Sequence, residues 1–244
     1  MISARNTSGS AAEKQFLVEE MGGGVALFDY DNDGWLDLFV ANGAVNVIEA
    51  QRGQPSPFRM KNQLFHNTGN GRFVETSAAG GPAFERAEIS RGAAFGDIDN
   101  DGDTDIVVTT NGGPVRLLLN QGGPRNHWLQ IGLEQTPGNR QGIGARVAIE
   151  RSARPIMWRR VRTDGSYLSA SGSRVQFGLG SSSTISSVVV QWPDGAEERW
   201  TGVAADHRVT LRRGTGQGQS ERNASNREIP ALAADPFRGR AARR

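Results

Sequence analysis

GVALFDYDNDGWLDLFVANG at residues 24–43 and GAAFGDIDNDGDTDIVVTTNG at residues 92–112 are two copies of one unit. Setting Asp29 on Asp97 brings Asp31 onto Asp99, Asn32 onto Asn100, Asp33 onto Asp101, Gly34 onto Gly102 and Asp37 onto Asp105. Each copy carries the pattern D-x-D-x-D-G-x-x-D. Carboxylates at positions 1, 3 and 5 converge as such a loop winds around one centre, and glycine at position 6 permits the sharp turn. The carbonyl at position 7 (Trp35, Asp103) adds an oxygen, and Asp37 or Asp105 closes the cage. Hard oxygens in a flexible ring suit Ca²⁺, whereas Mg²⁺ demands a tighter octahedron. Two calcium sites are therefore expected. Asp29, Asp31, Asp33, Trp35 and Asp37 form one; Asp97, Asp99, Asp101, Asp103 and Asp105 form the other. The bland alternative is an acidic surface turn, but four clustered aspartates repel one another without a cation. With the ligands supplied locally, calcium is expected to staple the fold rather than bridge to a partner.

An EF-hand loop opens the same way but needs a glutamate at position 12 and helices on both sides. Position 12 is Val40 in one loop and Val108 in the other, and both flanks read as strands. Val25–Phe28 and Ala93–Phe95 lead in; Leu36–Ala41 and Asp105–Thr110 lead out. These runs are short and rich in β-branched and aromatic residues, which favours strands over helices. A second element follows each loop, Leu64–Phe73 in the first copy and Leu117–Gly123 in the second. The first copy also holds an extra loop at 44–62, in which Gln51, Arg52, Gln54, Phe58, Arg59 and Met60 suit either contact with a partner or simple solvation.

From Asn126 the pattern changes to short strand candidates at regular spacing: His127–Leu133, Ala145–Glu150, Ile156–Arg162, Val175–Gly178, Ser187–Trp192, Glu197–Trp200 and Arg208–Arg212. Trp192-Pro193-Asp194-Gly195 is a hairpin signal, since proline presets φ and glycine accepts positive φ. This spacing points to a β-sandwich-like domain. The expected organisation is a flexible lead at 1–15, two repeats over 16–125, a β domain over 126–213 and a disordered basic tail over 214–244. The fold class is all-β throughout.

Composition narrows the chemistry. The 244 residues are 36% hydrophobic and 22% charged, enough for a core. There is no cysteine, which excludes disulfides, thiolate metal sites and thiol nucleophiles. The formal charge of +2 is uneven, because the stretch 214–244 holds six arginines against three acids. A nucleic-acid reading would rest on that tail alone, which lacks interleaved aromatics, so no nucleic-acid partner is expected. No run of about 18 apolar residues spans a membrane, and Met1–Gln15 lacks the apolar centre of a secretion signal.

The two loops, with Phe95-Gly96 before the second, resemble FG-GAP/VCBS repeats, the blades of integrin-α-like β-propellers. Asn126-His127-Trp128-Leu129, Gly142-Ile143-Gly144-Ala145-Arg146-Val147, Val175-Gln176-Phe177-Gly178-Leu179-Gly180 and Val190-Gln191-Trp192-Pro193-Asp194-Gly195 resemble the ASPIC/UnbV domain. Together they resemble the cartilage-acidic-protein-like family of secreted proteins, over residues 12–213. Such proteins carry several more repeats, and the join at Ser77–Arg91 falls where middle blades would stand. Two blades cannot close a propeller, which takes four to eight. An incomplete propeller is expected, with self-association as one way to complete it.

Catalysis is not expected. His66, His127 and His207 lack ligand spacing, and there is no G-x-S-x-G elbow or P-loop. The resemblance implies an extracellular or cell-envelope module for interaction, adhesion or scaffolding. The alternatives are carbohydrate binding at the envelope and an accessory role to a metal-dependent hydrolase. Trp158, Arg159, Arg160 and Arg162 suit a carbohydrate or acidic patch, or an ordinary core-in, polar-out strand with the arginines outward.

Overall fold

Each aspartate loop sits between two short runs rich in apolar residues, so each closes a β-hairpin. The computed structural model describes residues 23–43, 60–122, 126–152 and 154–218. In the first repeat, β1 (Val25–Phe28) and β2 (Asp37–Val40) pair antiparallel with Phe28 opposite Asp37. The insertion ends in β3 (Met60–Lys61), followed by β4 (Gln63–Asn67) and β5 (Phe73–Glu75). Strands β1, β2, β4 and β5 form one four-stranded sheet in that order.

The join contains two 3₁₀ turns, Ser77–Gly80 and Pro82–Glu85, and then β6 (Ala87–Glu88), which pairs with β3. The second repeat follows as β7 (Ser90–Gly96), β8 (Asp105–Thr110) and β9 (Arg116–Leu118), a three-stranded sheet. Phe95 on β7 lies with its ring centre 5.3 Å from that of Phe28 and 5.9 Å from that of Phe39. Phe39, Ala41 and Leu64 of the first repeat, Phe84 of the join, and Ala93, Ile106 and Val108 of the second share one core. The two repeats therefore pack directly on each other, and the join contributes Phe84 to that core. Neither sheet closes into a barrel.

The C-terminal half packs two sheets face to face. Strands β10 (His127–Glu134), β11 (Arg146–Glu150), β12 (Met157–Arg160) and β13 (Val175–Gly180) are followed by β14 (Ser187–Gln191), β15 (Glu197–Trp200), β16 (His207–Arg212) and β17 (Gln217–Gly218). One sheet runs β13-β10-β16, with β10 and β16 parallel; the other runs β12-β11-β14-β15-β17. Leu129, Ile131, Val147, Ile149, Phe177, Leu179, Val188, Val190 and Trp192 fill the space between them. The hairpin at Trp192 forms, with the Gly195 N–H donating to the Trp192 carbonyl at 2.9 Å.

The ordered chain runs past the boundary expected at residue 213. The buried Glu198 carboxylate accepts Trp192 Nε1–H at 2.9 Å, Gly214 N–H at 2.9 Å and Gly216 N–H at 3.0 Å. A buried carboxylate needs such donors, and satisfying it fixes Gly214–Gly218 against β15. The expected flexible lead at 1–15, the insertion at 44–59 and the tail from 219 onward lie outside the described residues. Among the described residues no helix is long and apolar enough to cross a membrane, which says nothing of membrane β-barrels.

Candidate metal centres

The two loops are superposable down to single hydrogen bonds. Asn32 and Asn100 adopt φ of 58° and 68°, and Gly34 and Gly102 adopt 98° and 97°. Asparagine tolerates the left-handed region and glycine enters it freely, so positions 4 and 6 are set by backbone conformation. At position 1, Asp29 Oδ2 accepts Gly34 N–H at 2.9 Å and Asp97 Oδ2 accepts Gly102 N–H at 3.2 Å. At position 5, Asp33 Oδ1 accepts Trp35 N–H and Asp101 Oδ1 accepts Asp103 N–H, at 2.7 and 2.9 Å.

Position 9 has a job beyond closing a cage. Asp37 accepts Tyr30 N–H at 3.1 Å with one oxygen and Asn67 N–H at 2.8 Å with the other. Asp105 does the same with Ile98 at 2.8 Å and Asn120 at 2.8 Å. Both side chains are fully buried and tie the loop to Asn67 at the end of β4 in one repeat and to Asn120, just past β9, in the other.

The remaining oxygens point to a cation. Asp29 Oδ1 and Asp97 Oδ1 are buried and have no hydrogen-bond partner. An unpaired buried charge is costly, so a positive ion at that point fits the donor set. Ligand atoms of Asp29, Asp31 and Asp37 lie within 4.8 Å of one another, as do those of Asp97, Asp99 and Asp101. In the absence of a cation, burial and then the charge of Asp33 push Asp29 up to about 8. Burial raises Asp37 to about 6. Burial, followed by the charge of Asp101, does the same for Asp103. Asp31 and Asp101 are raised as well, burial being the first cause for each.

The loops differ in one neighbour. Pairing of β4 with β2 carries His66 to the first loop, its Nδ1 3.4 Å from Asp31 Oδ2 and 3.3 Å from Asp37 Oδ1. Asn67 and Asn120 are equivalent by their bonds to Asp37 and Asp105, so Leu119 stands where the first repeat has His66. Ligand-spacing rules passed over His66; its place directly before the recurring asparagine was the available signal. At position 7, the Trp35 ring lies against Gly69 on the outside, while the Asp103 carboxylate accepts Asn32 Nδ2–H at 2.7 Å and so joins one loop to the other.

Both loops are seated on the outer face of the β13-β10-β16 sheet. Gly180 N–H donates to the Asn32 carbonyl at 2.9 Å. Gln176 Nε2–H donates to the Gly102 carbonyl at 2.6 Å, and Asn126 Nδ2–H to the Asp31 carbonyl at 2.9 Å. A methyl group on Gly178 would overlap Asp29 Oδ2, and one on Gly102 would overlap the Trp128 ring. The loops are thus the joint between the two halves of the molecule.

Comparison with known proteins follows the same division. A family model described as FG-GAP-like repeat matches residues 29–108, and one described as ASPIC and UnbV matches 135–218. The chain thus matches the FG-GAP-like repeat in its first half and ASPIC and UnbV in its second. It is similar to Cartilage acidic protein 1 of Mus musculus, 47% identical over 100 residues, which is 39% of this chain and 15% of that protein. The protein of the same name from Homo sapiens is 43% identical over 58 residues, 24% of this chain and 9% of that protein. The chain thus spans a small part of the length of these relatives. The family resemblance read from the two loops and the later motifs stands. The FG-GAP-like match begins at Asp29 itself, and the ASPIC and UnbV match ends at Gly218, the last residue of β17.

The arginine patch departs from the expected pattern. Val147 opposite Arg159 and Ala148 opposite Trp158 set the register of β12 on β11. Val147 faces the core, so Arg159 turns inward and stacks over Phe177, 5.5 Å from the ring centre. Trp158 turns outward beneath the Arg146 guanidinium, 4.7 Å from the ring centre. The core-in, polar-out alternation is reversed at Trp158 and Arg159 alone, since Met157 is buried in the core and Arg160 is exposed.

Proposed function

We propose that this chain is an extracellular interaction module whose two aspartate loops take calcium and thereby hold the repeats on the ASPIC and UnbV domain. The observation that carries the reading is the pair of buried, unpartnered oxygens, Asp29 Oδ1 and Asp97 Oδ1, at the same point of two repeated loops. A bound Ca²⁺ supplies the positive charge that these clustered carboxylates otherwise lack. Asp29, Asp31 and Asp33, with the carbonyl of Trp35, would hold one ion; Asp97, Asp99 and Asp101, with the carbonyl of Asp103, would hold the other. Asp37 and Asp105 fix the loop ends and can lend a further oxygen. With its charge balanced, each loop keeps the shape that seats Asn32 and Gly102 on β13 and β10.

Binding to the folded state alone stabilises by about 2.7 kcal/mol per site at a hundredfold excess over Kd. The melting temperature should therefore rise clearly when calcium replaces chelator, and identical melts would refute the reading. Location follows from affinity. Extracellular calcium modules bind in roughly the 10⁻⁴–10⁻³ M range, and cytosolic calcium would leave such sites empty. Calorimetric titration that shows filling at tens of nanomolar would remove the extracellular part of the proposal.

A further inference from the structure

Between the repeats and the β13-β10-β16 sheet lies a cleft of about 760 Å³, within the roughly 300–1,000 Å³ usual for ligand pockets. Its wall holds both halves of an unmade hydrogen-bond network. Arg159 Nε and Nη2 are buried and have no acceptor. Gln130 Oε1 and Gln176 Oε1, from neighbouring strands at one register position, are buried and have no donor. The Ser166 hydroxyl is buried and unpartnered in the same cleft. Arg162 and Arg174 line it too, and no ion pair with a carboxylate among the described residues occupies either. Three carboxylates line the cleft as well, Asp29 and Asp97 from the two aspartate loops and Asp164, and of these Asp29 is the one whose charge reaches Arg159.

We propose that this cleft binds an acidic saccharide, a sugar chain bearing carboxylates, with Arg159, Arg162 and Arg174 taking the charge. The orphaned groups state what the ligand carries. Guanidinium nitrogens call for an anionic acceptor, and the planar fork matches a carboxylate. The amide oxygens of Gln130 and Gln176 call for donors beside that anion. A polyhydroxylated anion supplies both at sugar-ring spacing. A glutamate-rich peptide supplies the charge and backbone N–H donors, but strung along a chain rather than clustered around one anionic ring. This site deepens the reading of the chain as an interaction module and does not need the calcium reading to be right.

The test is calorimetry on the full chain at constant calcium with a galacturonate trimer, its methyl ester and hexaglutamate. The trimer should bind at one site, and the ester, which has lost the charge, should bind at least tenfold more weakly. Arg159→Gln and Arg174→Gln should each weaken the trimer at least tenfold while the arginine tail stays intact. Arg174 is exposed, so Arg174→Gln decides the matter if Arg159→Gln fails to fold. No binding of the trimer, equal binding by Arg174→Gln and the unaltered chain, or hexaglutamate binding as tightly as the trimer would each overturn the proposal. The melt in calcium against chelator is read separately, so failure here leaves the metal reading standing, and the reverse.

Discussion

Asp29 and Asp37 stand at the two ends of one loop and answer to different forces. Asp29 has one oxygen on Gly34 N–H and one without a partner; Asp37 has both oxygens on backbone donors. Asp29→Ala should abolish calcium binding at the first site and leave the second; in chelator the orphaned Gly34 N–H is offset by removal of a buried unpaired carboxylate, so the melting temperature should fall less than in Asp37→Ala. Asp37→Ala orphans two backbone N–H groups at a cost of about 1–3 kcal/mol each, so it should lower the melting temperature even in chelator. Equal behaviour of the two variants in chelator would contradict this division. The raised carboxylates also set a pH dependence. Asp29 is held at about 8 when folded, against 3.8 for the free side chain, so the cation-free fold holds a proton that the unfolded chain has released. Its contribution is intact below about pH 4 and is lost as pH rises through about 8. Melting temperature in chelator should therefore fall from pH 5 to pH 8, and saturating calcium should flatten that slope. The clustering of the loop carboxylates was legible in the sequence because position 1, 3, 5 and 9 spacing is local. His66 was not, because only the pairing of β4 with β2, set by long-range register, carries it to Asp31.

At the level of elements, short runs rich in β-branched and aromatic residues and the Pro-Asp-Gly turn were enough to find most strands, including β1, β8 and β15 at their observed bounds. The misses share one cause. Strands β5 and β17 have little apolar pattern of their own and exist because a neighbouring edge pairs with them. Arg159 was read outward for a similar reason, since strand phase is fixed by its partner β11. The seating of the loops on the β13-β10-β16 sheet was equally hidden, because Gly178 in a strand signals close approach only when the approaching group is known. Gly178→Ala places a methyl group on Asp29 Oδ2 and the Asn32 backbone. Such overpacking costs about 1–3 kcal/mol, and it should weaken calcium at the first site more than at the second. Gly218, where a methyl group meets nothing, is the control position. Normal calcium affinity in Gly178→Ala would argue that the loops do not need their seat.

At the level of the molecule, two cores meet at a polar joint made of the aspartate loops. Apolar packing holds each half together; carboxylates, amides and backbone groups hold the halves to each other. Limited proteolysis should reflect this. In calcium both halves should resist; in chelator the repeats should be cut first, leaving a fragment that contains β10–β17. Simultaneous loss of both halves in chelator would show that they melt as one unit. The order of the strands along the chain adds a constraint of timing. β10 is the middle strand of the sheet that seats the loops, and its parallel partner β16 ends at Arg212. During synthesis the acidic loops emerge long before that sheet can be completed. For most of that interval they face solvent with their like charges unscreened by protein. A ribosome pausing before Arg212 would hold a chain whose seat lacks its β16 edge, and calcium too dilute to fill weak sites would leave the loop carboxylates unbalanced through that pause.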